Sequence, residues 1–166
     1  MVQLRVITLT KKISLPPSTF DAKVSVYIWE KLNRMFSNTC TEKYGYITGI
    51  TSKIRIIGNY LSSSGNAIFN VEFGLYTFKP SKGDILEGVV CVVFEHGILL
   101  DICEKNISNM KVLIPQNNLG DFTWNKSKDS FEGKSIVIVK DCVLRVKLDL
   151  VRYENKVYSG IGFVEV

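Results

Sequence analysis

The alternation of apolar and polar positions divides this chain into a mixed first half and an all-β second half. Residues 3–14 are rich in β-branched side chains (Val6, Ile7, Thr8, Thr10, Ile13) and are closed off by Pro16-Pro17, which predicts a strand. Over about 18–36, Val24, Ile28, Leu32, Met35 and Phe36 recur at offsets of three and four, the spacing that gathers side chains into one helical stripe. Ser18 or Thr19 is the expected cap, its side-chain oxygen satisfying free backbone N–H groups, and Asn38 is the expected stop. From Tyr44 the period shortens to two. Residues 46–51 and 54–57 read as separate strands. Gly58-Asn59 and Ser62-Ser63-Ser64-Gly65-Asn66 read as turns flanking the apolar pair Tyr60-Leu61, and 67–78 reads as one long returning strand. One helix against three or four antiparallel strands makes an α+β domain.

Residues 80–83 read as a linker. Beyond it no helical period survives, and five β segments follow, at 84–94, 97–103, 111–114, 135–147 and 157–164. Their turn signals are His96-Gly97, 106–109, 117–120, 129–133 and Glu154-Asn155. Five short strands in so few residues predict a small five-stranded OB β-barrel. The expected division is a first domain at 1–80 and a barrel domain at 81–166.

Composition narrows the class. An apolar fraction of 46% over 166 residues describes a folded protein and argues against disorder. No apolar run approaches the ~18 residues of a membrane span, so no membrane partner is expected. Met1-Val2-Gln3-Leu4-Arg5 lacks a charged stretch leading into a long apolar block, so no secretory signal is expected. Cys40, Cys91, Cys103 and Cys142 are too widely spaced for a C-x-x-C pair and read as reduced core residues of a cytosolic or nuclear protein. The glycosylation-type triplets Asn106-Ile107-Ser108 and Asn125-Lys126-Ser127 are chance matches without a signal. Residues 1–80 carry ten Lys/Arg against four Asp/Glu, and 81–166 carry eleven against twelve. The positive excess of the first half points to an acidic partner, protein or nucleic acid, or simply to solvating lysines.

Bond-making chemistry has little to work with. The one histidine, His96, stands in a turn with no orienting partner or nucleophile in sequence reach. Phosphate-cradling glycine loops and metal-ligand spacings are missing, so no enzyme activity, catalytic residue, metal or cofactor is expected.

The octet Thr39-Cys40-Thr41-Glu42-Lys43-Tyr44-Gly45-Tyr46 resembles the T-C-T-x-K-Y-G-[FY] signature of the seventh-subunit family of eukaryotic RNA polymerase II, which has archaeal counterparts. The run Tyr76-Thr77-Phe78-Lys79-Pro80-Ser81-Lys82-Gly83-Asp84 resembles that family's junction between an N-terminal tip domain and an S1-type OB domain. Gly83-Asp84-Ile85-Leu86-Glu87-Gly88-Val89-Val90, followed by Glu95-His96-Gly97-Ile98-Leu99-Leu100, resembles the first two strands of an S1 domain. The resemblance covers nearly the whole chain. It implies a non-catalytic stalk subunit of a DNA-directed RNA polymerase, paired with a small helical subunit corresponding to the fourth subunit of polymerase II. That pair would dock on core subunits near the clamp and RNA exit channel, support initiation and guide nascent RNA.

The residues expected to dock are Lys43, Tyr44, Gly45, Arg55, Gly58, Tyr60 and Leu61. Gly45 also has a plain structural reading, a tight backbone between helix and strand. Apolar surface for the helical partner is expected at Phe73, Leu75, Phe78 and Ile85. For RNA, the available side chains are Lys82, His96, Lys111, Trp124, Arg145, Lys147, Arg152 and Tyr153. In the second OB strand Ile98 and Leu99 replace the aromatic that many S1 domains place after this glycine, removing a stacking platform worth ~1–3 kcal/mol per base. With a near-neutral barrel, RNA binding is expected to be weak and led by phosphate contacts. Richness in Ile, Lys, Asn and Ser suits an AT-rich genome, from a divergent eukaryote or a large DNA virus, placing the protein in the nucleus or in a cytoplasmic viral factory and virion. Two rivals stay open: a free-standing S1/OB RNA-binding protein, and the equivalent stalk subunit of polymerase I or III.

Overall fold

The computed structural model describes residues 2–104, 107 and 109–165. It divides into two compact units, one of Leu4–Thr39 with Tyr46–Phe78 and one of Met1–Gln3, Cys40–Gly45 and Lys79–Val166. Before the barrel strands come β1 (Arg5–Leu15), α1 (Val24–Phe36), β2 (Thr39–Thr41), β3 (Gly45–Leu61) and β4 (Ala67–Phe78), the strands forming a sheet in the order β1-β4-β3-β2. β4 is the central strand. It pairs with all of β1, from Arg5 opposite Thr77 to Leu15 opposite Ala67, and with β3 on its other side. Its alternate residues Val71, Phe73 and Leu75 are buried with Ile13, Leu15, Ile47 and Ile50. Phe73, Leu75 and Phe78 therefore belong to the unit's own core, and of the four residues expected to face a helical partner only Ile85 is exposed.

The helix starts later than its apolar period predicts. Pro17–Thr19 form a 3-10 turn, and the Thr19 hydroxyl donates to the Pro16 carbonyl at 2.7 Å instead of capping a helix. The Asp21 carboxylate accepts from the Lys23 N–H at 2.7 Å, and α1 begins only at Val24, without a side-chain cap. Asn38 ends it as expected, with φ 58° and its N–H donating to the Ile47 carbonyl at 3.0 Å. The buried stripe is a row of fours: Ile28 and Leu32 are fully buried, and the Phe36 ring lies 5.4 Å from that of Phe73. Met35 falls off this row and is exposed. Trp29 Nε1 donates to the Thr51 carbonyl at 3.0 Å and Lys31 Nζ to the Ser14 carbonyl at 2.7 Å, tying the helix to β3 and β1.

The two expected strands at 46–51 and 54–57 are one 17-residue strand, β3, whose register shifts at Ile47/Gly49, Ile50/Ile54 and Ile56/Gly58. Each irregularity breaks the period of two, so the sequence reads as interrupted where the backbone continues. Gly58 and Asn59 are not a turn. They pair with Asn70 and Phe69, and the turn lies beyond them, where Ser62 N–H donates to Asn66 O at 2.8 Å.

The second unit holds β5 (Ile85–Phe94), β6 (Gly97–Ile102), β7 (Lys111–Pro115), β8 (Thr123–Asn125), β9 (Ser130–Glu132), β10 (Val137–Ile138), β11 (Val143–Glu154) and β12 (Val157–Glu165). Five of these close a barrel in the order β5-β6-β7-β12-β11 and back to β5. Only the β7–β12 pairing in it is parallel. This is OB connectivity: three meandering strands, then two that return to seal the sheet. Alternate residues point inward, and Leu86, Val90, Ile98, Leu100, Val112, Ile114, Val146 and Leu148 fill the interior. At Gly97, φ is 154° and an added Cβ would stand 2.4 Å from the Ile114 carbonyl oxygen, so only glycine lets β6 start against β7.

Between β7 and β11 the expectation of loops and a single strand fails. The turn expected at 129–133 contains β9, with Ser130 and Phe131 buried, in a three-stranded sheet ordered β10-β9-β8. The segment 135–147 is split between β10 and β11 by Asp141 at φ 69°, whose N–H donates to the Val90 carbonyl at 2.8 Å. The turn expected at 106–109 and the Asn106-Ile107-Ser108 triplet involve Asn106 and Ser108, which lie outside the described residues. The cysteines are free, but none is a core residue: Cys103 is exposed and the other three are half-buried. Cys91 sits where the β5 register shifts between Val90 and Val92, which takes it out of the inward alternation, and its thiol donates to the Leu99 carbonyl at 3.2 Å.

Candidate docking and nucleic-acid surfaces

Within the barrel unit, the segment Cys40–Gly45 is held by a pair of tyrosines. β11 and β12 are joined by a two-residue turn, Asn155 and Lys156, both in the left-handed region at φ 53° and 63°. That geometry matches the twist of a hairpin and sets Tyr153 directly opposite Tyr158, their ring centroids 5.0 Å apart. The Tyr153 hydroxyl donates to the Cys40 carbonyl at 3.3 Å. The Tyr158 hydroxyl lies 2.9 Å from the Glu42 carbonyl and 3.2 Å from that of Thr41. Burial pushes the Tyr158 phenol up to about 12, helped by the nearby Cys40, Tyr153 and Glu42, and burial likewise raises the Cys40 thiol to about 11. The segment closes on itself through the Tyr44 N–H, which donates to Thr41 Oγ1 at 3.1 Å, and through Gly45 at φ 79°. Gly45 thus serves the tight backbone expected of it. Lys43 is exposed at the outermost point, its ammonium 5.1 Å from the centroid of the Tyr44 ring.

The other expected docking residues sit at the far end of the β3–β4 hairpin. Tyr60 and Leu61 are the last residues of β3 and are 54% and 70% exposed. With Phe20, Val24, Ala67 and Phe69 they border a groove of about 270 Å³, and Lys12 Nζ stands 5.8 Å from the Tyr60 ring centroid. Arg55 is exposed and paired with Glu72 at 3.1 Å, while Gly58 has open space around it.

The expected RNA-contacting residues divide into groups. Arg145 and Lys147 point outward from β11, where a register shift between Leu148 and Leu150 resets the alternation so that Arg152 is exposed as well. Nearly every cation has an acid beside it. Lys82 pairs with Asp149 at 2.8 Å, Arg152 with Glu154 at 3.1 Å and Lys111 with Asp101 at 3.2 Å, the last contact raising the Lys111 pKa. Arg145 stands in register between Glu87 and Glu165. Lys147 instead has the exposed apolar residues Ile85 and Phe163 as its cross-strand neighbours. Lys111 lies on β7, two strands away around the barrel, and His96 is exposed in the β5–β6 turn. Trp124 is half-buried with its ring 5.1 Å from Phe131, a packing position in the small sheet. Tyr153 is the tyrosine that holds Cys40. Ile98 is fully buried in the barrel, so the outward position after Gly97 belongs to Leu99.

Tyr158 was not singled out from sequence. The usable signal was the spacing: a two-residue turn at Asn155-Lys156 puts residues 153 and 158 face to face. A second feature that sequence reasoning missed is the exposed apolar run Ile136, Val137, Val139 and Val143. Ile136, the first of them, borders a cavity of about 440 Å³ lined in part by Leu119, Phe122 and Phe163.

A helix-backed antiparallel sheet and an OB barrel in one chain define the class as a tip-plus-barrel protein. Comparison with known proteins then gives the family. The chain is 31% identical over 146 residues to DNA-directed RNA polymerase II subunit RPB7 of Saccharomyces cerevisiae, spanning 85% of this chain and 83% of that protein. It is 28% identical over 164 residues to DNA-directed RNA polymerase II subunit 7 of Arabidopsis thaliana, spanning 96% and 90%. Similarity to DNA-directed RNA polymerase III subunit rpc8 of Dictyostelium discoideum is lower, 26% over 163 residues, and covers 60% of that protein. No protein-family model matches the sequence. This chain belongs to the RNA polymerase II subunit 7 family.

Proposed function

We propose that this protein is a non-catalytic subunit of a nuclear DNA-directed RNA polymerase and acts by binding alone. The tip domain, 1–80, docks on the polymerase core near the clamp and the RNA exit channel. Its anchors are Tyr60 and Leu61, with Arg55 and Gly58 on the same hairpin and with the Lys43-Tyr44-Gly45 turn as a second contact. A small helical subunit pairs with it, and the exposed apolar residues Ile85, Ile136, Val137, Val139 and Val143 leave surface for such a partner. The S1-like OB domain, 81–166, guides emerging transcript through Lys147, Arg145 and Arg152, weakly, because acids neighbour both arginines. In this position the protein supports initiation.

The observation that carries the reading is that similarity to polymerase II subunit 7 proteins runs through both units, over 85% of the chain in the yeast relative and 96% in the plant one. The test is affinity purification of the tagged full-length protein from its own cells, with identification of the co-eluting chains. Stoichiometric recovery of the large polymerase II subunits and one small helical protein is expected. Recovery of polymerase I or III chains would assign it elsewhere. A monodisperse protein with no polymerase chains would overturn the reading in favour of a free-standing RNA-binding OB protein.

A further inference from the structure

We propose that Tyr153 and Tyr158 are positioning residues that preset the Lys43–Tyr44 turn for docking. The inference rests on the docking role assigned to that turn above. Three consecutive carbonyls, those of Cys40, Thr41 and Glu42, point at two phenol hydroxyls. Each hydroxyl carries a single proton. Tyr153 donates to Cys40, while the Tyr158 proton is shared between Glu42 at 2.9 Å and Thr41 at 3.2 Å. Tyr158 is 3% exposed and its ring packs against Tyr153, so the two donors brace one another. The hairpin that carries them is set by its own two-residue turn and by the cross-strand pairs running back along β11 and β12.

The segment begins as the end of β2, which is hydrogen-bonded to β3, and turns from there. Its own hydrogen bonds include the one from Tyr44 N–H to Thr41 Oγ1, and Lys43 extends from it into solvent. A short exposed turn of this kind samples many conformations unless something external fixes its backbone. Fixing three successive carbonyls leaves the next two residues, Lys43 and Tyr44, as a rigid projection with the ammonium beside the ring. A preset projection docks without the ordering cost that a mobile loop incurs on binding.

The experiment uses the full-length protein with Tyr153→Phe, Tyr158→Phe and the double change, which keep the rings and remove only the hydroxyls. Three quantities are read: the thermal midpoint, amide hydrogen exchange at residues 42–44, and association with immobilised polymerase core depleted of this chain. A Lys43→Glu/Tyr44→Ala variant serves as the side-chain control. In the double Phe variant the midpoint is expected to stay within a few degrees of the parent. Exchange at 42–44 should rise about fivefold, the change that loss of a hydrogen bond worth ~1 kcal/mol produces, and core association should weaken by a similar factor. Unchanged exchange would overturn the inference whatever the core does. Faster exchange with full core association, while the side-chain control loses core, would also overturn it, because order in the turn would then be irrelevant to docking. If the side-chain control retains core fully, the docking role of the turn falls, and the inference with it.

Discussion

Replacing Tyr60 and Leu61 together with serine separates surface placed for a partner from surface needed for folding. Both side chains end β3, 54% and 70% exposed, so roughly half to two thirds of each is still in water. Full burial of such a side chain is worth ~1.5–3 kcal/mol, and the portion still available to a partner comes to ~1–2 kcal/mol each. Losing both should cost ~2–4 kcal/mol of association, a weakening of roughly thirtyfold to a thousandfold. Within the subunit the loss is smaller: part of the groove with Phe20, Val24 and Phe69, and the contact between Lys12 and the Tyr60 ring. A cation over an exposed ring is worth ~0.5–1 kcal/mol, which in a chain of this length lowers the melting midpoint by ~1–4 °C. The assay is a titration of immobilised polymerase core against the fluorescently labelled parent and double variant, with a thermal melt run alongside. Undiminished core affinity would refute the docking assignment. A midpoint lowered by ten degrees or more would refute the premise that these side chains contribute little to the fold.

Three further outcomes are expected. In RNA binding measured by filter retention over a salt series, affinity should be micromolar or weaker and fall steeply with salt, as counterion release requires. Lys147→Glu should weaken it more than Arg152→Glu, because Arg152 is already paired with Glu154 while Lys147 has apolar cross-strand neighbours; equal effects would contradict the surface described. Lys156→Gly should raise stability by ~0.5–1 kcal/mol in urea unfolding, since a lysine at φ 63° carries left-handed strain that glycine does not, and a loss of stability would refute it. Because the Tyr158 phenol is raised above its ordinary value of 10.0 to about 12, the folded state holds that proton longer than the unfolded one. Stability should therefore be flat below about pH 10 and decline as pH rises towards 12, and ultraviolet titration should show one tyrosine ionising late; Tyr158→Phe should remove that late step.

Elements with an unbroken period could be read directly. β4 runs without irregularity from Ala67 to Phe78 and was legible to the residue. β3 was not, because three register shifts reset its alternation and made a single strand look like two strands and a turn. The small β8–β9–β10 sheet was invisible for a different reason: strands of two or three residues are too short to show any period. For the candidate surfaces, the sequence placed Tyr60 and Leu61 at a loop tip, and they stand beside the hairpin turn as strand residues. For Tyr153, read as an RNA contact, nothing in the sequence hinted that its hydroxyl donates to the Cys40 carbonyl. Hydrogen bonds between residues more than a hundred positions apart leave no local trace in composition or spacing.

The grouping of Cys40–Gly45 with Lys79–Val166 bears on how this gene can be divided. The chain passes between the two units at 3/4, 39/40, 45/46 and 78/79, so the boundary suggested by Pro80 is only the last of four crossings. A barrel expressed from residue 81 onward would carry Tyr153 and Tyr158 without the three carbonyls that receive their protons. Transplanting the barrel into another protein with both tyrosine contacts intact would require bringing Cys40–Gly45 along with it.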